Sequence, residues 1–278
     1  MKKIQKKNGE LMKIKKILIA LLSFSLLLSI FNVSAFANTK AYSWFIKRNG
    51  NKQPILTEEQ KLICKYDAFY LDATKGDECV DKVIYLTYDA GYENGNVEKT
   101  LDILKREGIP AAFFILDNIL LKNSDLVTRM ISEGHTVCNH TKNHKNLSFS
   151  SKEEIEKNLS ALETLYEEKT GEKMKKYFRF PEGRYTEECL RTVSELGYKS
   201  FFWSFAYEDW NNGKQMPPQK ALKKVLDNTH NGAIFLFHPT SDTNVKILED
   251  LIREWRSLGF RFGTLDELVE NMTKADAN

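Results

Sequence analysis

Cysteine is sparse in this chain and never paired closely: Cys64, Cys79, Cys138 and Cys189 are its four, and no C-x-x-C occurs. That spacing excludes a thiolate zinc knuckle and a dithiol redox centre. Cys138 falls in an apolar strand pattern and Cys189 in a helical one, as buried small hydrophobes do. Cys64 and Cys79 are left as the pair available for a disulfide after export. Internal repeats and low-complexity segments are absent. Basic charge is also missing from most of the chain. Residues 1–37 hold seven lysines and one glutamate, +6 against a formal whole-chain charge of +3, so the remainder stands at −3. A mildly acidic body has no electrostatic footprint for nucleic acid, which excludes that partner. Histidine is scarce as well, with five in 278 residues, so where the histidines fall is informative.

The lysine-rich start has the layout of a targeting segment. Lys13, Lys15 and Lys16 form a basic flank, Ile17 to Phe31 an apolar core, and Val33-Ser34-Ala35 or Ala35-Phe36-Ala37 supplies small residues at cleavage spacing. The core falls short of the roughly 20 apolar residues a spanning helix needs. The expectation is an exported protein whose signal peptide is residues 1–37, touching a membrane only through that segment if it stays uncleaved.

Residues 38–80 read as an N-terminal extension, in which Thr57-Glu58-Glu59-Gln60 is a capping box opening a short helix toward Cys64. From Val83 the pattern becomes regular. Apolar runs at Val83–Leu86, Ala111–Ile115, His135–Cys138, Tyr177–Phe180, Ser200–Trp203, Ala233–Phe237 and Arg261–Phe262 alternate with segments of helical period. The helical segments end at glycines, as Val97 to Arg106 does at Gly108 and Asp125 to Ser132 at Gly134. Such alternation with short loops predicts a parallel sheet covered by helices, and seven units predict one closed or nearly closed α/β barrel over residues 81–272, with a tail at 273–278.

In a parallel barrel the C-terminal ends of all strands open on one face, so residues following different strands converge there. Asp89, His140, His144, Arg179, Asp209, Trp210 and His238 all follow apolar runs, and three of the five histidines are among them. His140 and His144 are spaced to share one face of a helical turn and chelate an ion, with Zn²⁺ first and Co²⁺ or another transition metal possible. His135, beginning its strand, reads as a hydrogen-bonded core residue. Asp89 then becomes a general base toward a water whose pKa the ion lowers. Arg179 would keep that carboxylate ionised, His238 would give a proton to a leaving group, and Trp210 offers a flat wall for a sugar ring.

Taken together, Thr87-Tyr88-Asp89, His140-Thr141-x-x-His144, Arg179-Phe180-Pro181-Glu182-Gly183, Asp209-Trp210, Leu236-Phe237-His238 and Phe262-Gly263-Thr264-Leu265 resemble the polysaccharide deacetylases of carbohydrate esterase family four, over residues 83–270. The resemblance implies a single distorted (β/α)₇ barrel and metal-dependent hydrolysis of an N-acetyl group on a sugar. It implies Asp89 as base, His140 and His144 as metal ligands, Arg179 as the residue orienting the base and His238 as acid. The Glu182 backbone N–H would stabilise the oxyanion, with Trp210 and Leu236 lining the sugar site.

Two positions depart from the family pattern. Ala90 stands where a second Asp normally supplies the third metal ligand, and Asn94 is the candidate replacement. Ala206 stands where an acidic residue tunes the acid histidine, a task that falls to Asp209. With the Gly91-to-Gly95 loop and Tyr207-Glu208-Asp209-Trp210, these departures resemble one branch, the δ-lactam-biosynthetic de-N-acetylases of the spore cortex. That branch implies N-acetylmuramic acid of a peptidoglycan glycan strand, after its peptide has been removed, as substrate. A lactyl carboxylate needs a cation near O3, for which Arg184, then Lys142, is the candidate, and the protein is expected as a monomer in the forespore or cortex space. Deacetylation of another N-acetylated glycan such as chitin is the alternative. Further off are a glycoside hydrolase using Asp89 and Asp209, and a catalytically silent glycan-binding protein.

Overall fold

The computed structural model describes residues 40–276, so the leader expected over residues 1–37 lies outside the described residues. From Ala41 onward the chain clusters as one unit. Its elements in order are β1 (Tyr42–Ser43), a 3₁₀ helix (Gln60–Lys65), β2 (Ala68–Phe69), β3 (Val83–Ala90), α1 (Asn96–Glu107), β4 (Ala112–Ile115), α2 (Asp117–Lys122), α3 (Ser124–Ser132), β5 (Thr136–Asn139), α4 (Lys152–Thr170), β6 (Tyr177–Phe178), β7 (Arg184–Tyr185), α5 (Glu187–Glu195), β8 (Lys199–Phe201), α6 (Pro218–Leu226), β9 (Ala233–Phe237), α7 (Asp242–Ser257), β10 (Arg261–Phe262) and α8 (Leu265–Asp276).

The sheet is parallel and curls around β3. From one edge of that strand β4, β5, β6, β8 and β2 follow in order; β9 pairs along its other edge, and β10 joins its first two residues. After β8 the chain turns onto β9: the Ser204 N–H donates to Ile234 O at 3.0 Å and the Leu236 N–H to Phe205 O at 2.9 Å. The result is the distorted (β/α)₇ barrel expected, with β2 as an addition. That two-residue strand comes from the N-terminal extension and pairs Ala68 with Ser200.

Period-two alternation sorts the residues of β3 between two layers. Val83 and Tyr85 pack with Phe114, Cys138, Phe201 and Ile234 from the other strands, filling the barrel interior. Ile84, Leu86, Tyr88 and Ala90 pack with Leu101, Leu104, Leu120 and Leu251 in the helical layer outside. Odd-numbered residues therefore face inward, and Asp89 is the inward residue at the C-terminal mouth. It is the last but one residue of an eight-residue strand, where the sequence had placed it on the following loop.

Other boundaries also differ from the sequence reading. Helix α2 was not anticipated, and α8 continues to Asp276, past the domain end placed at 272. The Thr57–Gln60 capping box is present, with the Thr57 N–H donating to Gln60 Oε1 and the Gln60 N–H to Thr57 Oγ1. The Cys64–Cys79 disulfide is not formed. His135 is a core residue as expected: its Nδ1 accepts the Ala111 N–H at 3.2 Å, while Nε2 has no partner. Burial lowers its pKa to about 4, so it is neutral at physiological pH.

Candidate active site

Asp89 meets Arg179 at the barrel mouth. Arg179, just beyond β6, is fully buried, which is tolerable for a guanidinium only if every donor is used. Its Nη1 donates to Asp89 Oδ1 at 2.8 Å, Nε to Phe201 O at 2.9 Å, and Nη2 to Thr87 Oγ1 at 2.8 Å and Phe202 O at 3.3 Å. Its flat face lies 4.1 Å from the centroid of Phe114. Thr87 in turn donates its hydroxyl to Phe235 O at 2.6 Å, which leaves its lone pairs toward the guanidinium. Burial alone would raise the pKa of Asp89. The neighbouring imidazoles of His140 and His238 and the Arg179 guanidinium outweigh burial and hold it below the usual carboxylate value.

His140 lies beside the same carboxylate, its Nε2 3.4 Å from Asp89 Oδ2. The other ring nitrogen, Nδ1, donates to the Arg179 carbonyl at 2.9 Å. A carbonyl can only accept, so the proton is on Nδ1 and the Nε2 lone pair points to the mouth. Burial pushes His140 down to about 4, which keeps the ring neutral. His144 reaches the same place from an exposed loop, its ring centroid 5.0 Å from that of His140 and nearly perpendicular to it. The two do not share a helical turn, as their spacing had suggested. Thr141 and His144 both take left-handed φ values, 70° and 59°, in a loop that Asn139 pins by accepting the Thr141 N–H at 2.9 Å.

A neutral imidazole with Nδ1 locked to a carbonyl and Nε2 free is the arrangement a metal ligand needs. His140 and His144 therefore fit a divalent ion of zinc-like softness. Asn94, the candidate third ligand, is engaged in hydrogen bonds. Its amide nitrogen donates to Thr240 O at 2.9 Å and its oxygen accepts the Asn96 N–H at 3.3 Å, which fastens the entry to α1 against the loop after β9. The Ala90 side chain lies in the outer apolar layer, not in the mouth. Among the described residues, no group of three or more His, Cys, Asp or Glu side chains is placed to hold a metal.

On the other side of the mouth, His238 follows β9. Its Nδ1 bonds Asp209 Oδ1 at 2.7 Å, and its backbone N–H donates to Asp209 Oδ2 at 2.8 Å. Asp209 is buried, and Asn244 at the start of α7 donates to its Oδ2 at 2.6 Å while accepting the Tyr207 hydroxyl. The carboxylate expected to serve in place of the residue at Ala206 thus does contact the histidine. Burial lowers the pKa of His238, but the charge and hydrogen bond of Asp209, with Asp89 adding to them, carry it above the ordinary imidazole value. Asp209→Asn removes the main raising cause and leaves burial. The protonated ring is then lost at lower pH, so the alkaline limb of the kcat/KM profile moves down while the acid limb stays. A pH–rate series on the two proteins measures this.

Glu182 and Arg184 lie on the segment after Arg179. Glu182 takes a left-handed φ of 58° in a tight turn, and Gly183 follows at 62°. At Gly183 a Cβ would stand 2.8 Å from the Trp203 ring and 2.9 Å from Trp44 Cβ, so only glycine fits there. Arg184 is exposed and pairs with Glu182 at 3.2 Å. Trp210 is exposed, its ring 5.9 Å from that of His238. Leu236 is a buried residue of β9.

Sequence reasoning missed Thr87, Asn139 and Asn244, which hold Arg179, the histidine loop and Asp209. Each is a polar residue at the end of an apolar run or the start of a helix, which is a weak signal. It also missed that the N-terminal extension supports the site. β1 pairs antiparallel with β7, the Trp44 N–H donates to Gly183 O at 2.8 Å, and Trp44 Nε1 donates to Trp203 O at 2.9 Å.

Known proteins share this fold. The polysaccharide deacetylase family matches residues 77–201. The peptidoglycan-N-acetylmuramic acid deacetylase PdaA of Bacillus subtilis (strain 168) is 36% identical over 229 residues, which span 82% of this chain and 85% of that protein. The solved structure of B. subtilis PdaA, a family 4 carbohydrate esterase, superposes with a TM-score of 0.79 at 32% identity, covering 85% of this chain and all of the other. A family 4 carbohydrate esterase from Bacillus anthracis gives a TM-score of 0.69 at 32% identity over 84% of this chain and 98% of that one.

Proposed function

The chain belongs to the polysaccharide deacetylase family, hydrolases of the amide bond in N-acetylated glycans, and from that premise we propose that it de-N-acetylates N-acetylmuramic acid in peptidoglycan. The observation that carries the reaction is the pairing of two opposed proton-handling groups across one mouth: Asp89, whose carboxylate Arg179 keeps charged, and His238, whose pKa Asp209 raises. What favours the muramic sugar is the similarity, over 82% of this chain and 85% of that protein, to a relative named for that substrate.

Asp89 takes the proton of the water that attacks the acetamide carbon, and Arg179 keeps its carboxylate oriented and charged. His238 gives its proton to the departing C2 nitrogen, so the C–N bond breaks to a free amine and acetate. The Glu182 backbone N–H stabilises charge on the carbonyl oxygen, and Trp210 walls the sugar ring. Members of this family depend on a metal; His140 and His144 would hold a divalent ion, Zn²⁺ first and Co²⁺ as an alternative, that polarises the carbonyl and acidifies water. Asp209, buried with both oxygens bonded, serves His238. That leaves the glycoside hydrolase alternative without its second carboxylate.

On peptide-free glycan of the spore cortex, the freed amine lies close to the lactyl carboxyl on O3 and is set to close a six-membered lactam. We read the basic-flanked apolar leader as the signal that exports the protein, as a monomer, to that envelope space. The test is acetate release from peptide-free glycan, intact peptidoglycan and chitin oligomers in parallel. Equal rates on chitin and peptide-free glycan overturn the muramic assignment, and no acetate from any of them leaves a silent binding protein.

A lactyl carboxylate calls for a cation near O3. Arg184 is exposed beside Glu182, so a bound carboxylate exchanges one anionic partner for another; Lys142, on the exposed loop between the metal-site histidines, is second. Arg184→Ala is expected to lower kcat/KM on the muramic substrate by about 10- to 150-fold, the worth of one charge-assisted contact. Rates on sugars without the carboxylate should hardly change, and steady-state kinetics on both substrates checks this.

A further inference from the structure

Among the described residues, four aromatic side chains stand out as largely exposed: Phe45 at 61%, Tyr92 at 49%, Phe149 at 67% and Trp210 at 56%. Exposing a large apolar ring to water is unfavourable, and a cluster of such rings on one face marks a binding surface. Trp210 borders the mouth, its ring 5.9 Å from that of His238, and Tyr92 follows β3. Phe45 and Phe149 lie further out, and the described contacts tie both to the segment around Arg184.

The register of the β1–β7 ribbon places Phe45. Ser43 pairs with Arg184, and Trp44 bonds Gly183 on the buried side. Burial alternates, with Ser43 and Phe45 exposed and Trp44 covered, so Phe45 shares the outer face of the ribbon with Arg184. Phe149 arrives from the loop after β5. Its neighbour Ser148 accepts the Thr186 hydroxyl at 3.0 Å, two residues past Arg184, and the turn is closed by the Ser150 N–H donating to Leu147 O at 3.0 Å. Leu147 is buried, so the turn holds Phe149 outward on a fixed base.

We propose that Phe45 and Phe149 form an outlying subsite for the glycan strand, each offering a flat face to a sugar ring beyond the residue that reacts. The proposal rests on the glycan-deacetylase reading above. A pyranose presents an axial C–H face and equatorial hydroxyls, so it packs on an aromatic face while its polar rim stays hydrated. The occupant is the same strand because both rings are tied to the segment that leaves the mouth: Arg184 is the residue after the Gly183 turn, β1, which carries the chain to Phe45, pairs with that segment, and the loop of Phe149 bonds Thr186.

The test compares wild type, Phe45→Ala and Phe149→Ala on a peptide-free disaccharide and on polymeric peptide-free glycan. Each substitution should raise KM on the polymer about two- to tenfold, the range one aromatic contact supports, leaving kcat and the disaccharide kinetics unchanged. Phe45→Tyr and Phe149→Tyr should restore the polymer KM, which a folding defect would not allow. Unchanged polymer kinetics, or equal losses on both substrates, overturn the subsite. Acetate release from neither substrate by wild type would instead overturn the deacetylase reading, and the subsite with it.

Discussion

Asp89→Asn lowers kcat/KM by about 10²- to 10⁴-fold, the usual loss when a general base is removed, and leaves the fold intact. The amide keeps an oxygen for Arg179 Nη1, at 2.8 Å from the carboxylate oxygen it replaces, so the buried guanidinium stays bonded. What disappears is the basic oxygen 3.4 Å from His140 Nε2. Arg179→Ala makes a different comparison. It strips donors from Thr87, Phe201 and Phe202 and leaves Asp89 without its counter-charge, a change that typically costs about 3 to 5 kcal/mol of stability. Its effect on the chemistry has to be read at a temperature where the variant is folded. There it should fall short of the Asp89→Asn loss, because the carboxylate is still present to act. Single-turnover rates together with metal content decide the matter. An Asp89→Asn protein close to wild type, with its metal content unchanged, places the base elsewhere.

The barrel was legible because its strands are buried on both faces and separated by helices of clear period, as Val83–Leu86 and Ala233–Phe237 show. The same pattern located Asp89, Arg179, Asp209 and His238, since inward parity and strand ends decide what reaches the mouth. Two kinds of feature did not show. Short pairings such as Ala68 with Ser200 have too few residues to impose a period, and their partners are remote in sequence. Loop conformation was the other. An i, i+4 spacing of imidazoles reads as helical, whereas two left-handed residues bring His140 and His144 together without one. The engagement of Asn94 was hidden for a related reason. A sequence places an amide near a site, but only the fold shows that both ends of it are used in fastening two loops.

The loop geometry also shapes the second large effect, loss of turnover when the histidine pair is broken. His144 is exposed and its loop is held from Asn139 and Asn158, through the Thr141 and Lys142 N–H groups. His144→Ala should therefore abolish metal binding and activity while the unfolding midpoint stays near wild type. His140 is buried and donates to the Arg179 carbonyl at 2.9 Å. His140→Ala removes a ligand and also orphans a buried carbonyl, a penalty of roughly 1 to 3 kcal/mol, so it should lose activity and stability together. That difference separates ligation from folding, because a purely structural histidine pair would cost stability at both positions. Two imidazoles with no third His, Cys, Asp or Glu placed to join them among the described residues make a thin shell, so chelator should strip the wild-type ion readily and added Zn²⁺ restore turnover. Metal content, thermal unfolding and acetate release on the same preparations carry the test. Full activity in protein verified free of metal would end the hydrolytic scheme proposed here.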